Sequence, residues 1–166
     1  AHVDHHHRTQ PTGLAAHPAE QAQVRPQTMT CGGVSRNGIF MHPPYAGGTG
    51  YSFALFAPIQ IPSSPPAAFR AFVGKGDGSD LADGILYKLA VVDEQNKETV
   101  AAQVHVAKHT WEPIEADLTP WAGRTIRLKL ITDVGPKNNS SGDWGGWAEM
   151  RIESLKPEFI RTLGKP

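Results

Sequence analysis

The stretch Arg124-Thr125-Ile126-Arg127-Leu128-Lys129-Leu130 alternates, with Ile126, Leu128 and Leu130 on one side and Arg127 and Lys129 on the other. Successive side chains of a strand leave opposite faces of a sheet, so this period of two marks a half-buried antiparallel strand. Upstream, residues 84–92 are apolar on both faces. Ile85, Tyr87, Leu89 and Val91 share one, Leu86, Ala90 and Val92 the other, and Lys88 interrupts. Such a strand belongs inside a sheet, covered on most of both faces. Residues 99–107 put Val100, Ala102, Val104 and Val106 on a common face, and the polar turn Asp93-Glu94-Gln95-Asn96-Lys97 predicts a hairpin between the two segments.

Working outward, further β-branched and aromatic runs lie near 37–41, 51–57, 67–74, 111–118 and 146–153, each bounded by Gly, Pro, Asn or Asp. The spacing predicts an all-β protein, a two-sheet antiparallel jelly-roll sandwich of eight strands. With 17 Gly and 14 Pro in 166 residues, a helical bundle is excluded. Pro58, Pro62, Pro65 and Pro66 form a rigid connector, because proline cannot donate into a ladder. The apolar content suffices for one core. The expected organisation is an extended Pro/His-rich N-terminal arm over 1–36, the sandwich over 37–153 and a C-terminal tail over 154–166. Neither a 20–50-residue repeat nor a heptad pattern is present, which removes solenoids and coiled coils.

Sixteen basic and sixteen acidic residues leave no net charge, so the broad attraction that nucleic acid or an anionic membrane surface requires is missing. No run approaches the roughly 20 apolar residues of a membrane span, and the first residues lack a signal-peptide hydrophobic region. The expectation is an extracytoplasmic protein, secreted or periplasmic, whose signal peptide has been removed. Cys31 has no second cysteine to pair with, and Thr28-Met29-Thr30 before it does not resemble a lipoprotein cleavage box.

For catalysis the sequence holds no Gly-x-Ser-x-Gly elbow, no phosphate loop and no His-Glu-x-x-His, so a non-enzymatic role is expected. His2, His5, His6 and His7 could bind a transition metal, but read as a solvated tail. His105 and His109 share a predicted face without a third ligand and read as exposed sheet histidines. The loop Gly74 to Gly84 carries Asp77, Asp80 and Asp83 among glycines and could offer oxygen to calcium, although it departs from EF-hand spacing. No cofactor is expected beyond that structural calcium.

The aromatic residues are more informative. Trp111, Trp121, Trp144 and Trp147 fall in the last third, with Tyr45 and Tyr51 near the first strand connection. Sugars bind by stacking their C–H faces on aromatic rings while carboxylates, amides and arginine meet their hydroxyls. Asp143, Trp144 and Trp147 beside Lys137, Asn138 and Asn139 supply those types in one loop. Trp111 and Trp121 read as core. The 137–147 loop stays open between core and ligand pocket.

Several segments, in this order, resemble the NPCBM-type carbohydrate-binding modules, which are galactose-binding-domain-like jelly rolls. They are Gly38-Ile39-Phe40-Met41-His42-Pro43-Pro44, Phe69-Arg70-Ala71-Phe72-Val73-Gly74, Asp83-Gly84-Ile85-Leu86-Tyr87-Lys88, and Asp143-Trp144 with Trp147 before Arg151-Ile152. Trp111, the turn Asp117 to Gly123 and the strand from Arg124 to Leu128 resemble the intervening strand-turn-strand. The resemblance spans about residues 37–153 and implies a sandwich that binds glycan through loops at one end, often beside a structural calcium ion. Tyr45, Trp144 and Trp147 are the expected stacking residues, and Arg70, Asn138 and Asp143 the expected hydrogen-bonding ones. The alternative is a structural subunit of a larger extracytoplasmic complex, with protein partners met through the arm and the sandwich surface.

Overall fold

In a computed structural model, the structure describes the main chain of residues 2–7 and residues 23–45 and 50–155 in full. Residues 1, 8–22, 46–49 and 156–166, with the side chains of residues 2–7, lie outside the described residues. The strands are β1 (His2–His7), β2 (Gln23–Cys31), β3 (Val34–His42), β4 (Gly50–Leu55), β5 (Ile59–Gln60), β6 (Ala67–Lys75), β7 (Ile85–Val92), β8 (Glu98–Val106), β9 (Trp111–Asp117), β10 (Thr125–Asp133) and β11 (Gly145–Ser154).

One sheet runs β1-β4-β10-β7-β8, with β5 also paired to β10, and the other runs β2-β3-β11-β6-β9. Every pairing is antiparallel. This is a two-sheet jelly-roll sandwich, as the strand spacing predicts. Its core lies between the sheets, where Ile85, Tyr87, Leu89, Val91, Ile126, Leu128 and Leu130 meet Phe69, Ala71, Val73, Ile114 and Trp147. The alternation in β10 is realised, and β7 sits inside its sheet between β10 and β8.

Two differences from the sequence reading have clear physical causes. The hairpin of β7 with β8 forms, but its register shifts between Leu89 and Ala90, which oppose Ala102 and Val100. Ala101 is the extra residue of a β-bulge, so the faces exchange beyond it. Val100 is therefore half exposed instead of sharing the core face with Val106. The second difference concerns residues 23–36, which the sequence reading places in the arm. They form β2 and the start of β3, a hairpin closed by Gly32 and Gly33 with φ of 59° and 77°. A two-residue turn with both φ positive matches the twist of the flanking strands, and two glycines adopt it without steric cost. Asp77 fastens the turn by accepting from Gly32 N–H at 2.7 Å and Gly33 N–H at 2.9 Å. Both hydrogen bonds hold its carboxyl below the ordinary aspartate range.

The hairpin tip curls over the outer face of its own sheet. Trp111 of edge strand β9 donates its indole N–H to the carbonyl of Val34, the first residue of β3, at 2.8 Å. Beneath that contact Met29, Cys31 and Phe40 form a second small core against Trp111. Gly74 and Gly146 make room for it, since a Cβ on Gly74 would meet the Trp111 ring at 2.6 Å and one on Gly146 the Met29 sulfur at 2.5 Å. Proline falls where a ladder bond is dispensable, at Pro26 in edge strand β2 and Pro113 in edge strand β9.

Three hydrogen bonds cross the main core. Tyr87 of β7 donates its hydroxyl to the Gly74 carbonyl at 2.6 Å and accepts from Gly146 N–H at 3.0 Å. Trp147 donates its indole N–H to the Thr132 hydroxyl at 3.1 Å, and its ring meets Tyr87 edge-on with centroids 5.6 Å apart. Tyr87→Phe leaves Gly146 N–H without its hydroxyl acceptor in the interior. It should lower unfolding free energy by about 2 kcal/mol, read from urea melts; an unchanged midpoint would contradict this account of how the sheets are joined.

Candidate functional site

At the end of the second sheet where β3 leaves and β11 enters, a cleft of about 540 Å³ opens on the outer face. Its floor follows from strand parity. Met41 is fully buried in the core, so its neighbours Phe40 and His42 face outward. Across the ladder Gln23 opposes His42 and Arg25 opposes Phe40, and Gln27 continues the row. Gln23, Arg25 and Gln27 therefore line the cleft as one polar face of β2. Tyr45 closes one side, and Ser140, Ser141, Gly142 and Trp144 from the loop before β11 close the other.

Aromatic contacts organise this floor. The Arg25 guanidinium stacks 4.6 Å from the Phe40 ring centroid, and the His42 and Tyr45 ring centroids are 4.5 Å apart. His42 Nδ1 lies 2.6 Å from the Pro43 carbonyl. A carbonyl only accepts, so Nδ1 carries the proton and Nε2 is left with a lone pair. Burial lowers the His42 pKa, with the Lys75 charge adding to it against the opposing pull of the Pro43 carbonyl, so the ring is neutral at pH 7.

The wall carrying Trp144 is held from beneath. Gly76 N–H donates to the Trp144 carbonyl and Trp144 N–H to the Gly142 carbonyl, both at 2.8 Å. Lys75, fully buried, donates its ammonium to the Gly142 carbonyl and lies 3.6 Å from Asp143, also fully buried. Burial pushes the Asp143 carboxyl up to about 8, with Lys75 pulling it down and Asp83 pushing it further up. Burial likewise lowers the Lys75 pKa, opposed by Asp143, Asp80 and Asp83.

The acidic residues of this region are engaged by the chain to different degrees. Asp77 is spent on the β2–β3 turn, and Asp80 accepts from Ala82 N–H at 3.2 Å. The Gly142 carbonyl accepts from the Lys75 ammonium, whereas both Asp143 carboxyl oxygens and Asp83 Oδ1 are buried without a hydrogen-bond partner among the described residues. Among the described residues no group of three or more His, Cys, Asp or Glu comes together. His105 and His109 do not converge either, since each lies within hydrogen-bond distance of the 79–83 turn, at Asp83 O (2.8 Å) and Ser79 O (2.9 Å). Burial, with the charge of Asp77 adding to it, pushes the Cys31 thiol up to about 12, which leaves a protonated, unreactive side chain.

Of the residues singled out in the sequence, Tyr45 and Trp144 meet at the cleft. Asn138 belongs to the same loop as Trp144 but is not part of the cleft lining. Arg70 stands elsewhere on the outer face, paired with Glu115 at 2.9 Å and Glu153 at 3.1 Å. Two expected contacts are corrected. Trp147 is a core residue with no exposed surface, because it lies two positions into β11 on the face turned to the first sheet. Asp143 is likewise interior, drawn in by Lys75. The β2 row and Phe40 and His42 went unnoticed; the alternation Gln23, Arg25, Gln27 ahead of Gly32-Gly33 is the signal that would have found them.

The chain is a jelly-roll sandwich with an aromatic and amide-lined cleft on its outer face. A solved structure shares this fold. The chain superimposes with a TM-score of 0.51 and 15% identity on the CBM22-1–GH10 modules of Clostridium thermocellum endo-1,4-β-D-xylanase 10B complexed with xylohexaose, over 82% of this chain and 25% of that one. Against TmCBM61 in complex with β-1,4-galactotriose the TM-score is 0.49 at 10% identity, over 82% of this chain and 90% of that one. The fold is thus a two-sheet antiparallel jelly roll similar to that of the xylanase 10B structure. An uncharacterized protein of Archaeoglobus fulgidus is 30% identical over 121 residues, covering 69% of this chain, which spans 30% of that protein's length. No family model matches the chain.

The two neighbouring tryptophans should separate in a stability assay. Trp147→Ala should cost about 3–5 kcal/mol, whereas Trp144→Ala should change the urea midpoint by less than about 0.5 kcal/mol equivalent; equal losses would refute the assignment of one to the core and the other to the cleft. Asp143 tests the buried pair. In the folded chain it keeps its proton up to about pH 8, and in the unfolded chain it releases it near the ordinary value of 3.8. The folded state holds the extra proton between these limits, so this group's contribution to stability falls as pH rises through them. Asp143→Asn removes that slope. The unfolding free energy of wild type relative to the variant should decline from pH 5 to pH 8, and a flat difference would rule the shift out.

Proposed function

We propose that this chain is a non-catalytic carbohydrate-binding module that takes a glycan into the cleft between Tyr45 and Trp144. The observation that carries the reading is Trp144 itself, a large aromatic side chain 44% exposed on a backbone that is fixed by hydrogen bonds on both sides. An exposed indole held rigidly costs little ordering entropy on binding and offers a flat apolar face to sugar C–H groups. Tyr45, 42% exposed, supplies a second ring at the same cleft. The amide NH2 groups of Gln23 and Gln27 offer donors, and the hydroxyls of Ser140 and Ser141 both donors and acceptors, suited to sugar hydroxyls.

Among the described residues no helix is long and apolar enough to cross a membrane. The reading places the protein outside the cytoplasm, where polysaccharide is encountered. The fold neighbour crystallised with xylohexaose makes β-1,4-linked oligosaccharides sensible first probes.

Affinity electrophoresis through gels containing soluble polysaccharides tests the proposal. Wild type should be retarded by at least one of them. Trp144→Ala and Tyr45→Ala should each weaken retardation by roughly tenfold in apparent Kd, equivalent to about 1.4 kcal/mol per ring, with unchanged urea melts. Unimpeded migration of wild type through every polysaccharide would defeat the proposal.

A further inference from the structure

Resting on the glycan reading of the cleft, we infer that its preferred ligand is an acidic glycan, with a uronate carboxylate seated on Arg25. The inference begins with what Arg25 lacks. Arg36, Arg70, Arg124 and Arg151 each sit against a carboxylate, Glu149, Glu115 with Glu153, Asp93 and Glu153 respectively. Among the described residues no carboxylate pairs with Arg25, an exposed guanidinium whose contacts are the Phe40 ring and two neutral amides; Arg127 likewise has no ion pair among them but does not line the cleft. Among the described residues no carboxylate lines the cleft, and Asp143, in the same loop as Trp144, is buried near Lys75. The described part of the cleft therefore carries the positive charge of Arg25 without an adjoining acid.

The contacts of Arg25 also orient its surroundings. Its Nε donates to Gln27 Oε1 at 2.8 Å, and its Nη1 donates to Gln23 Oε1. A guanidinium has five N–H groups in a planar fork, so three remain for a ligand. Because both glutamine oxygens accept from Arg25, the groups left on Gln23 and Gln27 are their NH2 donors. The three side chains together present donors from residues spaced two apart on one strand. A surface of donors around a fixed positive charge suits an acceptor-only group, and a carboxylate matches the planar fork with two parallel bonds. Stacking on Phe40 holds the guanidinium in place before any ligand arrives, which reduces the ordering cost of that bidentate contact.

The test compares oligogalacturonate and oligoglucuronate with their fully methyl-esterified forms and with neutral xylo-oligosaccharides, by isothermal titration on the full chain. The ester keeps the ring and the stacking faces while removing the charge. Wild type should bind an acidic form roughly tenfold or more tightly than its ester, with affinity falling as salt rises. Arg25→Gln should abolish that preference while leaving ester binding in place, and Arg25→Lys should restore only part of it, since the charge returns without the fork. Equal affinity for acid and ester in wild type overturns the inference but leaves the glycan cleft standing, and it needs no variant to fold. Failure to bind any acidic, esterified or neutral glycan, here and in the polysaccharide gels, removes both readings.

Discussion

The hydroxyl of Tyr87, buried between the two sheets, is the constraint on which the rest of the structure turns. It reaches from β7 across the core to the Gly74 carbonyl on β6 and the Gly146 N–H on β11, and so joins one sheet to adjacent strands of the other. A buried hydroxyl without partners costs free energy, so the position is tolerable only when both strands stand where they do. Gly145 allows the approach, since a Cβ there would lie 2.7 Å from the Tyr87 oxygen. The next residue along β6 is Lys75, paired in register with Gly145. The cross-core bond thereby fixes the ends of the strands from which the cleft is built.

From those ends the cleft follows by short steps. Lys75 holds Gly142, Gly142 and Gly76 hold the main chain of Trp144, and the indole is left at the rim. The loop wall is organised around the buried Lys75 ammonium, which is expensive to desolvate and is offset by the Gly142 carbonyl, with Asp143 at 3.6 Å. The opposite wall depends on the β2–β3 hairpin, whose tip is fastened by Asp77 and by the Trp111 indole. One sheet thus rolls over a small second core, and its free end becomes the floor on which Arg25, Phe40 and His42 are displayed.

Much of the fold was legible. The clean alternation of β10 and the doubly apolar β7 gave their positions and core faces, because a covered strand has no freedom to expose Leu89 or Leu130. Val100 escaped the pattern because a bulge exchanges faces midway along β8, and one residue suffices to reverse parity. The β2–β3 hairpin escaped for a different reason. Its strands are an edge pair with a polar outer row, so the apolar signal is weak, and the turn glycines carried the information instead. The site was legible only in kind: a loop mixing tryptophan with polar residues does border the cleft, yet of its two tryptophans one is rim and one is core.

By itself the sequence determined the all-β class, the core faces of the central strands and the neutral charge that disfavours broad binding to polyanions, since all three depend on local periodicity and composition. Only the tertiary structure decided which polar residues meet. Gln23, Arg25 and Gln27 come from a strand more than a hundred residues away from Ser140 and Trp144, and their meeting depends on β3 and β11 lying side by side. The fate of Asp143 was decided in the same way. A carboxylate in an exposed loop and one buried on a lysine read alike in a sequence, and the difference arises from desolvation by strands that are distant along the chain.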